Sequence, residues 1–341
     1  MSKYFKIKKV ANDFKIRTIN NISYIGTDDI YAAGCNSANY NNPEIWDWAN
    51  KSLTTVGTNG GPSAYGTFDQ SGNGAEWCSP NVAGGITIVR RGGSWAVGYA
   101  GISHTHRADQ APNFVVEIVG FRLASSIPGS NFVKVGDFVN RNNTIASYGG
   151  QYYGSVDHLY YIGKHEITNT QYCDFLTAVG NLAYGGSCRD DVFSLYNIDS
   201  GGVVPEIHSP VPNNVIDRSG TSGAYTYAPK PNYSLRPATF ITWLNCARYC
   251  NWLHNGQGSG DTETGVYALN GNPLPLSGII PTKSPGAIFW IPTENEWYKA
   301  AYYKKGGSNA GYWQYATQSD SVPTPVDSTP NGDGVLPCSS T

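Results

Sequence analysis

The three clearest helices of this chain each mark their own start and stop, and none begins before Thr168. In "TNTQYCDFLTAVG", Thr168 stands three residues before Gln171, a capping box, and Gly180 closes the run. In "TWLNCARYCNWLHNG" the helix opens after Thr242 and stops at Gly256, with Trp243, Ala247, Cys250 and Leu253 on one stripe. In "TENEWYKAAYYKKGG", Thr293 and Glu296 form another capping box and Gly306 ends the run. Helices are therefore a minority. The apolar runs of strand length are short: "ITIVRRGGSW", "IVGFRLA" and "FVKVGDFV". With 40 Gly, 24 Tyr and 9 Trp, these elements predict a loop-rich α+β architecture with short antiparallel sheets, packed around large rings.

A chain of 341 residues makes one large domain or two ordinary ones, ample for a core. Only 14% of residues are charged and the net charge is −2, so no basic field exists to hold nucleic acid. The opening "MSKYFKIKKVANDFKIRT" is basic without an apolar run, so it does not read as a secretory signal. No 18-residue apolar stretch predicts membrane insertion. The expected location is where the chain is made, in cytoplasm or on a virion. Seven cysteines is an odd number, which argues against a full disulfide framework. Cys246 and Cys250, one helical turn apart, read as a metal pair or as two small core residues. The second reading is preferred, because no Cys or His pair lies nearby to complete a zinc site.

Five motifs recur in the pattern of one family. They are "YYIGKHEITNTQYCDFL", "RPATFITWLNCARYCNWL", "WIPTENEWYKAAYY", "YGTFDQSGNGAEWC", and "RRGGSW" with "GFRLA". Together they resemble the formylglycine-generating-enzyme-like, or sulfatase-modifying-factor, domains, which have a variant of the C-type-lectin fold. Ile291 stands where that family usually has Leu. The resemblance runs from about Ala38 onward, but in a different order. Residues 38–124 look like the family's C-terminal part placed first, after an arm at 1–37. Residues 132–341 look like its N-terminal part placed second, and 125–131 would be the connector. The chain looks circularly permuted, which is easy where old termini are neighbours. The two parts either close within one chain or complete each other between chains. The short connector favours the first.

The resemblance also says where chemistry belongs. The oxidases of the family bind copper through two cysteines, two and seven residues past the aromatic of the GGS-aromatic motif. Here those positions are Val97 and Ile102, which cannot replace the thiolates that select Cu(I). Oxidase activity is therefore not expected. His104 and His106, in "SHTHR", would point the same way on a strand. They read as a metal pair, which Asp109 could orient, or as surface contacts, the preferred reading. The resemblance implies structural calcium at Asn39, Tyr40, Asn73 and Glu76. The same residues read equally well as hydrogen-bonded loop ties. No nucleophile elbow, P-loop or dinucleotide fingerprint is present. "GTNGGPSAYG" reads as a loop, because no helix opens after it.

Between Trp95 and Phe121 runs "AVGYAGISHTHRADQAPNFVVEIVG". The layout is similar to the variable region in target proteins of diversity-generating retroelements. Trp95, Tyr99, His104, His106, Arg107, Asn113 and Phe114 are types used in recognition, unless they only complete loops over the core. The expected function is a non-catalytic binding or assembly module with a protein or glycan partner, such as another virion protein or a host receptor. Homo-oligomers fit as well. A divergent metal-dependent oxidase, and a purely structural protein joining chains by exchanged halves, are the alternatives.

Overall fold

The computed structural model describes residues 34–41, 52–80, 87–138, 141–147, 149–196, 214–271, 280–305, 310–328 and 332–335. Most of the arm at 1–37, the Gly306 stop and Cys338 lie outside them. Helices form at Asn169–Val179, Trp243–His254 and Glu294–Tyr302, as the capping signals predict. Thr168 and Thr293 each accept the backbone N–H three residues on, and Gln171 and Glu296 reach back to complete both boxes. The 243–254 helix is not a one-sided amphipath: every residue from Trp243 to Leu253 is buried. It runs through the middle of the core, and its buried polar residues Asn245, Arg248 and Asn251 are hydrogen-bonded there. A fourth, five-residue helix at Arg189–Phe193 carries no strong sequence signal. No helix of the described residues is long and apolar enough to cross a membrane.

The sheets are short, so the architecture is mixed α and β with few helices. One antiparallel sheet runs in the order Phe289–Trp290, Ala124–Ser125, Tyr160–Gly163, Phe132–Val135. The other runs in the order Ala108–Gln110, Ile88–Arg91, Ala75–Trp77, Val119–Gly120, with the last pair parallel. "IVGFRLA" is thus not one strand. It breaks after Gly120 and re-enters the other sheet at Ala124. The break places Phe121 edge-on to Tyr172 and Tyr249, with centroids 6.5 and 5.5 Å away. Those rings come from two different helices, and such pairs add about 0.5–1.5 kcal/mol to area burial.

Residues before and after the 125–131 connector share one core, with Trp77, Trp95 and Phe121 beside Phe175, Trp243 and Trp290. Near the far end of the chain, Thr324–Pro325 lies parallel to Ser37–Ala38. Further strands form at Asp327–Ser328 and Gly334–Val335. The Pro- and Ser-rich stretch from Ser319 onward is therefore partly paired.

Candidate functional site

The strand Ile88–Arg91 leads into two glycines with positive φ, Gly92 at +91° and Gly93 at +68°. A side chain on Gly93 would run into the carbonyl of Gly101, so the pair turns the chain tightly over itself. Trp95 follows and is fully buried. It belongs to the core, not to an exposed face as the sequence suggested. The single 3₁₀ turn Tyr99–Ile102 comes next, with Tyr99 at 55% exposure and Ile102 at 0%. Ile102 packs with Ala38, Tyr40 and Tyr315, and Val97 lies against the same group. The two positions where the family's oxidases keep cysteines are thus brought together, and both are hydrocarbon.

His104 and His106 are not on a strand. They occupy the turn before Ala108–Gln110. His104 is 3% exposed, and its Nδ1 lies 3.0 Å from the Tyr298 hydroxyl and 3.4 Å from Asn143 Nδ2. Burial, and then the charge of Arg91, lower its pKa and keep it neutral. It is a satisfied core histidine and not a contact residue. His106 is only partly buried and lines a different space. Among the described residues, no group of three or more His, Cys, Asp or Glu could hold a metal ion.

Three arginines surround this stretch and are treated differently. Arg91 is buried and reaches Glu294 at 2.5 Å. Arg107 donates from Nε to the same carboxylate at 3.0 Å and from Nη1 to Asp109 at 2.6 Å. Asp109 therefore orients an arginine, not a histidine. Arg90 has neither partner. It lines a cleft of about 20 Å³ with Ser94, Val97, His106, Gly93, Ala75 and Ile118. Its guanidinium carbon sits 5.7 Å from the Phe114 ring centroid. Asn113 is exposed and Phe114 half-buried beside it. Tyr99, His106, Arg107, Asn113 and Phe114 therefore keep some access to solvent, whereas Trp95 and His104 do not.

The remaining motif residues meet beneath this surface. Glu76 accepts from Arg122 through both oxygens and from the Trp297 indole at 2.8 Å. These three residues belong to three of the separated motifs. A model of the sulfatase-modifying factor enzyme 1-like domain matches residues 17–127 and again residues 125–329. The chain belongs to that family. Neither a search of curated proteins nor one of solved structures returned a match.

Calcium, which the resemblance to this sulfatase-modifying-factor family implies, fits these side chains poorly. Both Glu76 oxygens are taken by donors of the protein itself. Asn73 Oδ1 accepts from the Thr54 backbone, the Thr54 hydroxyl and Asn39. The Tyr40 hydroxyl donates to the Pro323 carbonyl at 2.7 Å. Only Asn39 Oδ1 remains buried without a partner among the described residues. A hard cation needs six to eight oxygens, so this set acts as loop ties instead. Cys246 and Cys250 are fully buried free thiols, which places them in the core. Cys35 is disulfide-bonded.

Sequence reasoning missed Arg90, Arg91 and Glu294 as parts of the site. Arg90 and Arg91 lay inside "RRGGSW", where they read as family framework. The period of two puts adjacent arginines of a strand on opposite faces, but nothing local shows what either face meets.

Proposed function

We propose that this family member is a non-catalytic binding module whose contact surface is the rim of Tyr99, His106, Arg107, Asn113 and Phe114. The observation that carries this is the packing of Val97 and Ile102 with Tyr40 and Tyr315. Side chains with no electron-pair donor occupy the positions where the family's oxidases bind copper, which leaves the scaffold without its redox centre. The rim offers an aromatic ring, an amide, an imidazole and a guanidinium, the mixture that suits recognition of a protein or glycan. An assembly such as a virion surface or tail is the proposed setting.

We also propose that the order of the chain is permuted. The two family matches meet at residues 125–127. The strands on either side of that junction, Ala124–Ser125 and Phe132–Val135, both pair with Tyr160–Gly163. A chain re-ordered to begin at Phe132, with its present ends joined, is expected to melt at the same temperature.

The test of function has two readouts. Elemental analysis of protein purified without chelator is expected to find no stoichiometric copper or iron, and a cysteine peptide incubated with added copper is expected to stay unoxidised. Binding to a glycan panel or intact cells is expected to vanish in Tyr99→Ala/Asn113→Ala without loss of folding. Stoichiometric redox metal, peptide oxidation, or failure to bind any surface would overturn the reading.

A further inference from the structure

Among the described residues, Arg90 is the arginine of this surface without a counter-charge. Its Nη1 is buried and has no hydrogen-bond partner among the described residues. Arg91 and Arg107 share Glu294, which lies on another element. Arg90 instead looks into the cleft lined by Ser94, His106, Val97, Ala75 and Ile118. A buried guanidinium normally has a carboxylate or a set of acceptors, because leaving its donors unmade is costly. Burial lowers the Arg90 pKa, and no anionic neighbour among the described residues offsets it. Burial, and then the charges of Arg90 and Arg91, also lower the pKa of His106.

We infer that this cleft binds a carboxylate carried on a methylene group, as on an acidic side chain of a protein partner. The inference rests on the binding-module reading and names the chemistry of its contact. The planar fork of Arg90 matches two carboxylate oxygens side by side. Ser94, whose hydroxyl oxygen accepts from the Ala96 backbone, and His106 line the same space. The hydrocarbon of Ala75, Val97 and Ile118 faces the carbon that carries the carboxylate. A space of about 20 Å³ exceeds the ~10–15 Å³ that one water needs. The Phe114 ring centroid lies 5.7 Å from the guanidinium carbon, within cation–π reach.

The test is an NMR titration of the full chain at fixed pH and ionic strength, following the His106 ring signal, assigned with His106→Gln. Acetate and propionate are expected to shift it saturably, while chloride, methyl phosphate and glucuronate are not. Arg90→Gln, checked for an unchanged melt, is expected to weaken acetate at least tenfold. An equal response to chloride, or an unchanged acetate response in Arg90→Gln, would overturn the inference. Tighter binding of glucuronate would overturn it too and mark an acidic-sugar site. Acetate binding without any partner surface would sink the proposed function and keep the site; partner binding without an acetate response would do the reverse.

Discussion

Glu76 and Arg122 meet through two parallel hydrogen bonds of 2.6 Å, with both side chains fully buried. Glu76 comes from the "GNGAEW" stretch and Arg122 from "GFRLA". The remaining guanidinium donors go to the carbonyls of Gly163, Lys164 and Phe68, so one residue ties four segments. Nearby Glu166 has the opposite character. Burial, with Asp69 and Glu76 beside it, raises its pKa well above the usual carboxylate range. It is a neutral acid beside the Glu76–Arg122 ion pair.

That difference predicts a split between two like substitutions. Glu76→Gln strips the charge from a buried pair and is expected to cost about 3–5 kcal/mol in denaturant unfolding. Glu166→Gln exchanges one neutral group for another of the same shape and is expected to cost less than about 1.5 kcal/mol. Equal costs would show that Glu166 is ionised.

Trp95 and Tyr99, four residues apart, predict opposite results. Trp95→Ala empties a core position and is expected to lower stability by about 3–5 kcal/mol. Tyr99→Ala, at an exposed position, is expected to stay within about 0.5 kcal/mol of the parent. Thermal melts of both check whether the stretch is framework at one end and free surface at the other.

A pH dependence follows from His158. Its Nε2 lies 2.9 Å from Glu296 Oε1, which also receives Lys283 at 3.3 Å. The bond to Glu296 raises the His158 pKa, so its contribution is complete below the ordinary value near 6.5 and fades as pH rises through the folded value. Glu296 is held down at about 2 despite its burial, chiefly by His158, Lys283 and Trp290. Its contribution is complete above the ordinary value near 4.5 and is lost as pH falls towards about 2. The stability difference between parent and His158→Gln is therefore expected to be largest between about pH 4.5 and 6.5 and to shrink on both sides. A difference that grows above pH 7 would contradict the pairing.

The thiols make a chemical prediction. Cys78, Cys173, Cys188, Cys246 and Cys250 are all buried and free. Burial pushes the Cys173 thiol up to about 12 and those of Cys246 and Cys250 well above their usual range. Native protein is expected to react with a thiol reagent at fewer than one site per chain, and denatured protein at all five. Zinc is expected to change neither count.

The removal of calcium is a further control. Chelator is expected to leave the melting temperature unchanged, because the oxygens of Asn73 and Glu76 already serve protein donors.

What the residues settle alone is local. Thr168 and Thr293 specify their helix starts because the bonds of a capping box span only three residues. The motifs place the chain in its family for a related reason: each is a contiguous string that keeps its spacing wherever it stands in the order. Val97 and Ile102 were likewise legible as hydrocarbon where cysteines were needed. Exposure was not legible. His104 is buried by Tyr298, 194 positions away, and Trp95 by a core drawn from both sides of the connector. Arg90 and Arg91 are neighbours of one type, yet only tertiary packing gives Glu294 to the second and a cleft to the first. Capping and hydrophobic period act within a few residues, whereas burial and ion pairing depend on which distant segments arrive.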